Sequence, residues 1–155
     1  MTNLPDPQIV TRPQRHFVGA ADTFTMETRY KIPALYERFF GSGWQIENTV
    51  TGALYGLSFD TTPDGFRYAV AVEVDPLGTV PDGACSVEAA AGTYAVFRNR
   101  GPVADLPAMF DAIFSTWLPN SDHEQAEGVV FEAYPDDPDA KDGVMTYEIW
   151  VPLKG

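Results

Sequence analysis

Ile32-Pro33-Ala34-Leu35-Tyr36-Glu37-Arg38-Phe39-Phe40 and Leu106-Pro107-Ala108-Met109-Phe110-Asp111-Ala112-Ile113-Phe114 read as one helix written twice, 74 residues apart. Of the nine aligned positions, the proline, the alanine and the last phenylalanine are identical, and only Arg38 against Ala112 changes character. In each copy apolar residues recur every three or four positions, the spacing of a helix with one buried face. The proline falls where a first turn would start, and there its missing N–H costs nothing. Pro33 predicts either a kink in a longer helix from Thr25 or a true start near Lys31. Gly41-Ser42-Gly43 closes the first helix and Pro119-Asn120-Ser121 the second.

Strands flank both helices. Ile9 to Ala20 reads as a first strand, weakened by Pro13. Ala53 to Asp60 and Phe66 to Asp75 enclose Thr61-Thr62-Pro63-Asp64-Gly65, a hairpin turn. In the second of these strands Phe66, Tyr68, Val70, Val72 and Val74 alternate with smaller or polar residues, which is period two. Pro76 to Gly83, rich in Pro, Gly and Asp, is a connector. The pattern then restarts. Thr93 to Arg100 is a strand broken by Gly101-Pro102, and Asp105 caps the second helix. Val129 to Tyr134 and Val144 to Leu153 follow around an acidic turn. The fold class expected is α+β, with duplicated strand-helix-strand-strand modules, pseudo-two-fold symmetry and an antiparallel sheet. We read residues 1–155 as one domain, with module one at about 9–75 and module two at about 85–153. Each helix covers one sheet face of its own half, so the seam between halves is the natural place for a cleft.

Composition narrows the function. The 155 residues carry 10 Lys+Arg against 22 Asp+Glu, a formal net charge of −12. Phosphate binding needs Lys and Arg to displace counterions, so direct contact with DNA or an anionic membrane is disfavoured and cations are attracted. The single cysteine, Cys85, allows no internal disulfide. With no apolar run of membrane-spanning length and no leader-like N-terminus, the expected location is the cytoplasm. Two histidines, His16 and His123, and one cysteine make a zinc site improbable, and no metal or other cofactor is expected. Asp136, Asp137, Asp139 and Asp142 crowd one turn, but Lys141 and two prolines interrupt it and no bidentate glutamate follows. A solvated turn is the better reading than a calcium loop.

Several stretches, taken in order, carry a family resemblance. They are Tyr55-Gly56, Gly92-Thr93-Tyr94-Ala95-Val96-Phe97, Gly101-Pro102, Trp117-Leu118-Pro119, Phe131-Glu132-x-Tyr134 and Tyr147-Glu148-Ile149-Trp150-Val151-Pro152. The whole chain thereby resembles the GyrI-like family, the effector-binding module of multidrug-sensing transcription regulators, AraC-type among them, which also exists alone. No helix-turn-helix segment or basic face is present, so the chain is read as a free-standing member that acts through its ligand or a protein partner.

On the residues alone, Glu132 could face water or the interior. The resemblance implies the interior, where a glutamate on the penultimate strand meets bulky, often cationic ligands in an aromatic pocket. A carboxylate held in an apolar cavity is costly to keep charged, and a cation would relieve that cost. Tyr55, Phe110 and Tyr147 are the expected walls, with Tyr36, Tyr68 and Trp117 behind them. Each can equally serve as core. The expected partner is therefore a hydrophobic or cationic small molecule. Two alternatives use the same resemblance. One is a hydrolase of strained electrophiles, in which Glu132 activates water while Tyr147 or Tyr55 donates a proton. The other is an acidic, gyrase-inhibitor-like protein.

Overall fold

Pro13 breaks the first predicted strand in two. In the computed structural model, which describes residues 4–154, Gln8–Arg12 (β1) and Arg15–Phe24 (β2) are separate strands. They are not neighbours in the sheet. The remaining strands are Ala53–Thr62 (β3), Gly65–Val74 (β4), Cys85–Ala89 (β5), Gly92–Pro102 (β6), Val130–Pro135 (β7) and Val144–Leu153 (β8). One eight-stranded sheet runs in the order β1-β6-β8-β7-β3-β4-β2-β5. Every pairing in it is antiparallel. Helix α1 is Ile32–Phe40, and a single 3₁₀ turn, Arg29–Lys31, precedes it. Pro33 thus opens the helix and kinks nothing. Helix α2 begins at Leu106, again with proline in its first turn, and passes at Ile113 into a π-helical turn that reaches Trp117.

The order of strands contains the duplication. Module one contributes β3-β4-β2 and module two β7-β8-β6, joined where β3 meets β7. At that junction Leu57 stands opposite Phe131, and these two are separated by the same 74 residues as Ile32 and Leu106. The pseudo-dyad therefore passes through this pair. The edge strands are exchanged: β1 pairs with β6 of the second half and β5 with β2 of the first.

That exchange curls the sheet. Only Pro13 and Gln14 separate β1 at one edge from β2 near the other, and only Ala90 and Ala91 separate β5 from β6. Three Cα steps span at most about 11 Å, so each connection draws the two ends of the sheet together. The inner face of the curl is filled by Phe17, Tyr55, Leu57, Tyr94, Phe131 and Trp150, with small residues between them. The outer face carries the helices. α1 lies on β2 and β4 over Ala20, Phe24, Tyr68 and Val70. α2 covers β6 and β8 over Phe97, Tyr147, Ile149 and Val151. Between the strand pairs that the two helices cover lie β7 and β3, which form the seam. The acidic turn between β7 and β8 spends a carboxylate on itself. Asp137 accepts from the Thr146 and Asp139 N–H groups at 2.9 and 3.0 Å, and it pairs with Arg100.

Candidate functional site

Strand parity decides what Glu132 meets. Phe131 and Ala133 point into the curl, so Glu132 between them must point to the helix side. There it is buried, with 4% of its surface exposed, the one charged residue that is buried among the described residues. It forms no ion pair among the described residues. Its partners are phenols. Tyr68 of β4 donates to Oε1 at 2.6 Å, and Tyr134 of β7 donates to the same oxygen at 3.2 Å. Tyr36 of α1 lies 2.7 Å from the Tyr68 hydroxyl. Tyr68 has one hydrogen and gives it to the carboxylate, so Tyr36 must be the donor in that contact.

A glycine makes the arrangement possible. Gly56 of β3 stands directly opposite Glu132. A Cβ there would fall 2.0 Å from Tyr68 Oη and 2.9 Å from Glu132 Oε1. Tyr68 is paired in the sheet with Ser58, one pleat away. Its ring crosses the bare backbone of Gly56 to reach the carboxylate, the close approach that a strand glycine permits.

The electrostatics follow from burial without a counter-charge. Desolvation pushes the Glu132 carboxyl up to about 7, against the downward pull of hydrogen bonds from Tyr68, Tyr134 and its own backbone. Burial, and then the nearby carboxylate, push Tyr36 up to about 12. The same two causes, in the same order, hold Tyr68 and Tyr134 well above the ordinary phenol range. All three phenols stay protonated donors across the physiological range, and Glu132 is poised between its charged and neutral forms.

Of the seven residues singled out from sequence, the structure brings three together: Glu132, Tyr68 and Tyr36. Tyr147 shares their face of the sheet but is sealed beneath α2, where Asn99 donates to its hydroxyl at 3.0 Å. Phe110 is half-buried on α2 and stacked on Phe114, and Trp117 packs edge-on against Phe97. Neither forms an aromatic pair with Tyr36, Tyr68 or Tyr134. Tyr55 lies on the other side of the sheet. It stands opposite Ala133 rather than Glu132, so it points into the curl. There its hydroxyl accepts from Arg15 Nη2 at 2.9 Å, while Arg15 also pairs with both oxygens of Glu73. Tyr134 is the site residue that sequence reasoning missed. Its position two residues after Glu132 on one strand is the available signal, since i and i+2 share a face. Two surface hollows, of about 390 and 880 Å³, lie elsewhere and neither is lined by Glu132. Among the described residues no group of His, Cys, Asp and Glu is arranged to hold a metal ion, and no helix is long and apolar enough to cross a membrane.

A curled antiparallel sheet of eight strands, built from two related halves with a helix on each, places the chain in a class of small-molecule-binding domains. The chain belongs to the GyrI-like small molecule binding domain family, whose model matches residues 5–154. It is 30% identical over 128 residues to the transcriptional regulator BrlR of Pseudomonas aeruginosa, covering 82% of this chain and 47% of that protein. It thus spans about half the length of that relative. Among solved structures, SAV2435 bound to tetraphenylphosphonium superposes with a TM-score of 0.76 at 20% identity, covering 97% of this chain and 95% of that one. The EcmrR C-terminal domain superposes at 0.66 with 14% identity, over 96% and 98% of the two chains.

Proposed function

We infer that the protein binds bulky hydrophobic cations at Glu132, on the helix-covered face of the seam between its halves. The observation that carries this is a buried carboxylate with three phenols around it and no positive charge beside it. Such a group gains more from a cation than from any neutral ligand, because the cation supplies the counter-charge that the fold withholds. Aromatic rings at the same place add roughly 0.5–2 kcal/mol per well-placed cation. Tyr134 touches both the carboxylate and the core beneath α2, against which Phe110 and Trp117 also pack. A net charge of −12 draws cations toward the protein and keeps DNA away.

Titration calorimetry at pH 8 with tetraphenylphosphonium tests the reading. Glu132→Gln keeps the shape and removes the charge. It should weaken binding by about 30-fold or more, since leaving one member of a buried charge pair costs at least ~2 kcal/mol. Equal affinity for the two proteins, both shown to be folded by circular dichroism, would end the proposal.

A second reading rests on the carboxyl being held at about 7. A group poised there is suited to general-base work on water, with Tyr68 or Tyr134 as proton donor to a strained electrophile. Product formation from an epoxide, abolished in Glu132→Gln, would favour it. Stoichiometric uptake without product would exclude it.

A further inference from the structure

The two oxygens of Glu132 are not equivalent. Both hydrogen bonds that its side chain accepts from other residues, Tyr68 and Tyr134, end on Oε1. The third phenol, Tyr36, is directed at Tyr68 and so reinforces the same oxygen. Oε2 receives no hydrogen bond from any other described residue. Among those residues no fully buried side-chain oxygen is left without a partner. Oε2 must therefore keep a sliver of accessible surface, and part of the 4% exposure of Glu132 belongs to it.

Two consequences follow from hydrogen-bond inventory alone. A proton on this carboxyl resides on Oε2, because Oε1 already accepts from two donors. And whatever enters the site meets Oε2 first. We propose that Oε2 of Glu132 is the docking atom of the site and accepts two chemical classes of ligand. When ionised it takes a cation bearing N–H groups, and when protonated it donates to a neutral ligand with a carbonyl or phosphoryl oxygen. This rests on the site assignment above and adds the ligand chemistry and its control by protons.

The groups facing Glu132 from each surrounding element do not interfere with that exchange. They are Tyr68 from β4, Tyr134 from β7 and Tyr36 from α1, all held protonated. β8 presents Ile149 directly opposite Glu132, with Tyr147 two residues along and engaged by Asn99, and β3 presents Gly56. From α2 the buried residues on that side are Met109 and Ile113, which carry no charge. The carboxyl is thus the group among them that changes charge near neutrality, and its midpoint of about 7 places the exchange there.

Benzamidinium and benzamide are near-isosteres, the first a permanent N–H cation between pH 5 and 8 and the second a neutral acceptor. Their affinities are measured by calorimetry over that range, for wild type and for Glu132→Gln, with tetraphenylphosphonium at pH 8 alongside. Apparent affinity scales with the fraction of protein in the competent protonation state. The Glu132-dependent affinity for benzamidinium should rise by about a hundredfold from pH 5 to 8, and that for benzamide should fall by about tenfold. The difference infrared spectrum of wild type minus Glu132→Gln should show a protonated carboxyl at pH 5 and lose it by pH 8. Two affinities that move in the same direction, or not at all, overturn the proposal. So does binding of the phosphonium with neither benzamide nor benzamidinium bound, a result that leaves the site assignment standing. Loss of all three ligands would instead sink the site assignment itself.

Discussion

Replacing Glu132 by glutamine should make the protein more stable at pH 8, and the size of the gain can be worked out. The carboxyl is raised from an ordinary 4.5 to about 7 by burial. In the folded protein it therefore holds its proton more tightly than in the unfolded chain. The stabilisation linked to that proton is present in full below about pH 4.5 and is lost as pH rises through about 7. Every tenfold gain in proton affinity on folding is worth about 1.4 kcal/mol, so the loss amounts to about 3 kcal/mol. Glutamine does not titrate, and its side-chain carbonyl can still accept from Tyr68 and Tyr134. The stability of wild type minus that of Glu132→Gln should accordingly fall by about 3 kcal/mol between pH 4.5 and 8, then level off. Taking the difference cancels the titration of the other acidic residues. For a domain of this size the gap corresponds to a relative shift in Tm of about 6–12 °C. Urea unfolding at half-unit pH intervals measures it. A difference that stays flat across that range would mean that Glu132 titrates like a solvated carboxyl, and the reasoning from burial would fail.

Gly56→Ala forces Tyr68 away from a Cβ that would lie 2.0 Å from its hydroxyl oxygen. It should cost about 2 kcal/mol through overpacking and the lost hydrogen bond, read by urea unfolding at pH 8. Unchanged stability would show that the Tyr68–Glu132 contact does not depend on the bare backbone. Tyr55→Phe should lower stability by about 1 kcal/mol by removing the acceptor for Arg15, and should leave phosphonium affinity unaltered. A fivefold loss of affinity would place Tyr55 at the site after all.

Most of the architecture was legible because it is local. Period two marks β4, and the Thr61–Gly65 turn joins β3 to β4. The repeated Ile-Pro-Ala and Leu-Pro-Ala starts locate both helices. What escaped was set by distant pairing. Cys85–Ala89 is five residues long and rich in small side chains, so it carries little strand signal, yet it closes one edge of the sheet. The exchange of β1 and β5 between halves leaves no trace in either segment's own residues. The same gap explains Tyr55. In Leu54-Tyr55-Gly56-Leu57 both parities are apolar, so only the register with β7 says which residue joins Glu132 and which faces the curl. Glu132 itself could be placed on the buried side only by analogy, because a single acidic residue in an apolar strand fits either face.

The duplication also says how many ligands to expect. Around the dyad through Leu57 and Phe131, residues 74 positions apart exchange places. The counterpart of Glu132 is Ser58, that of Gly56 is Val130, and that of Tyr36 is Phe110. Tyr68, opposite Ser58, corresponds to Ile149, opposite Glu132. Each of these positions has lost its chemistry on the mirrored side. The carboxylate is a hydroxyl there, the notch that lets a ring cross the backbone is filled by a β-branched side chain, and the phenols of Tyr36 and Tyr68 are hydrocarbon. A symmetric shell thus carries one polar centre, held by donors from both halves, and neither module can build it alone. Calorimetric titration should return one cation per chain. A stoichiometry of two would mean that the aromatic shell suffices without the carboxylate, and the case for Glu132 would collapse with it.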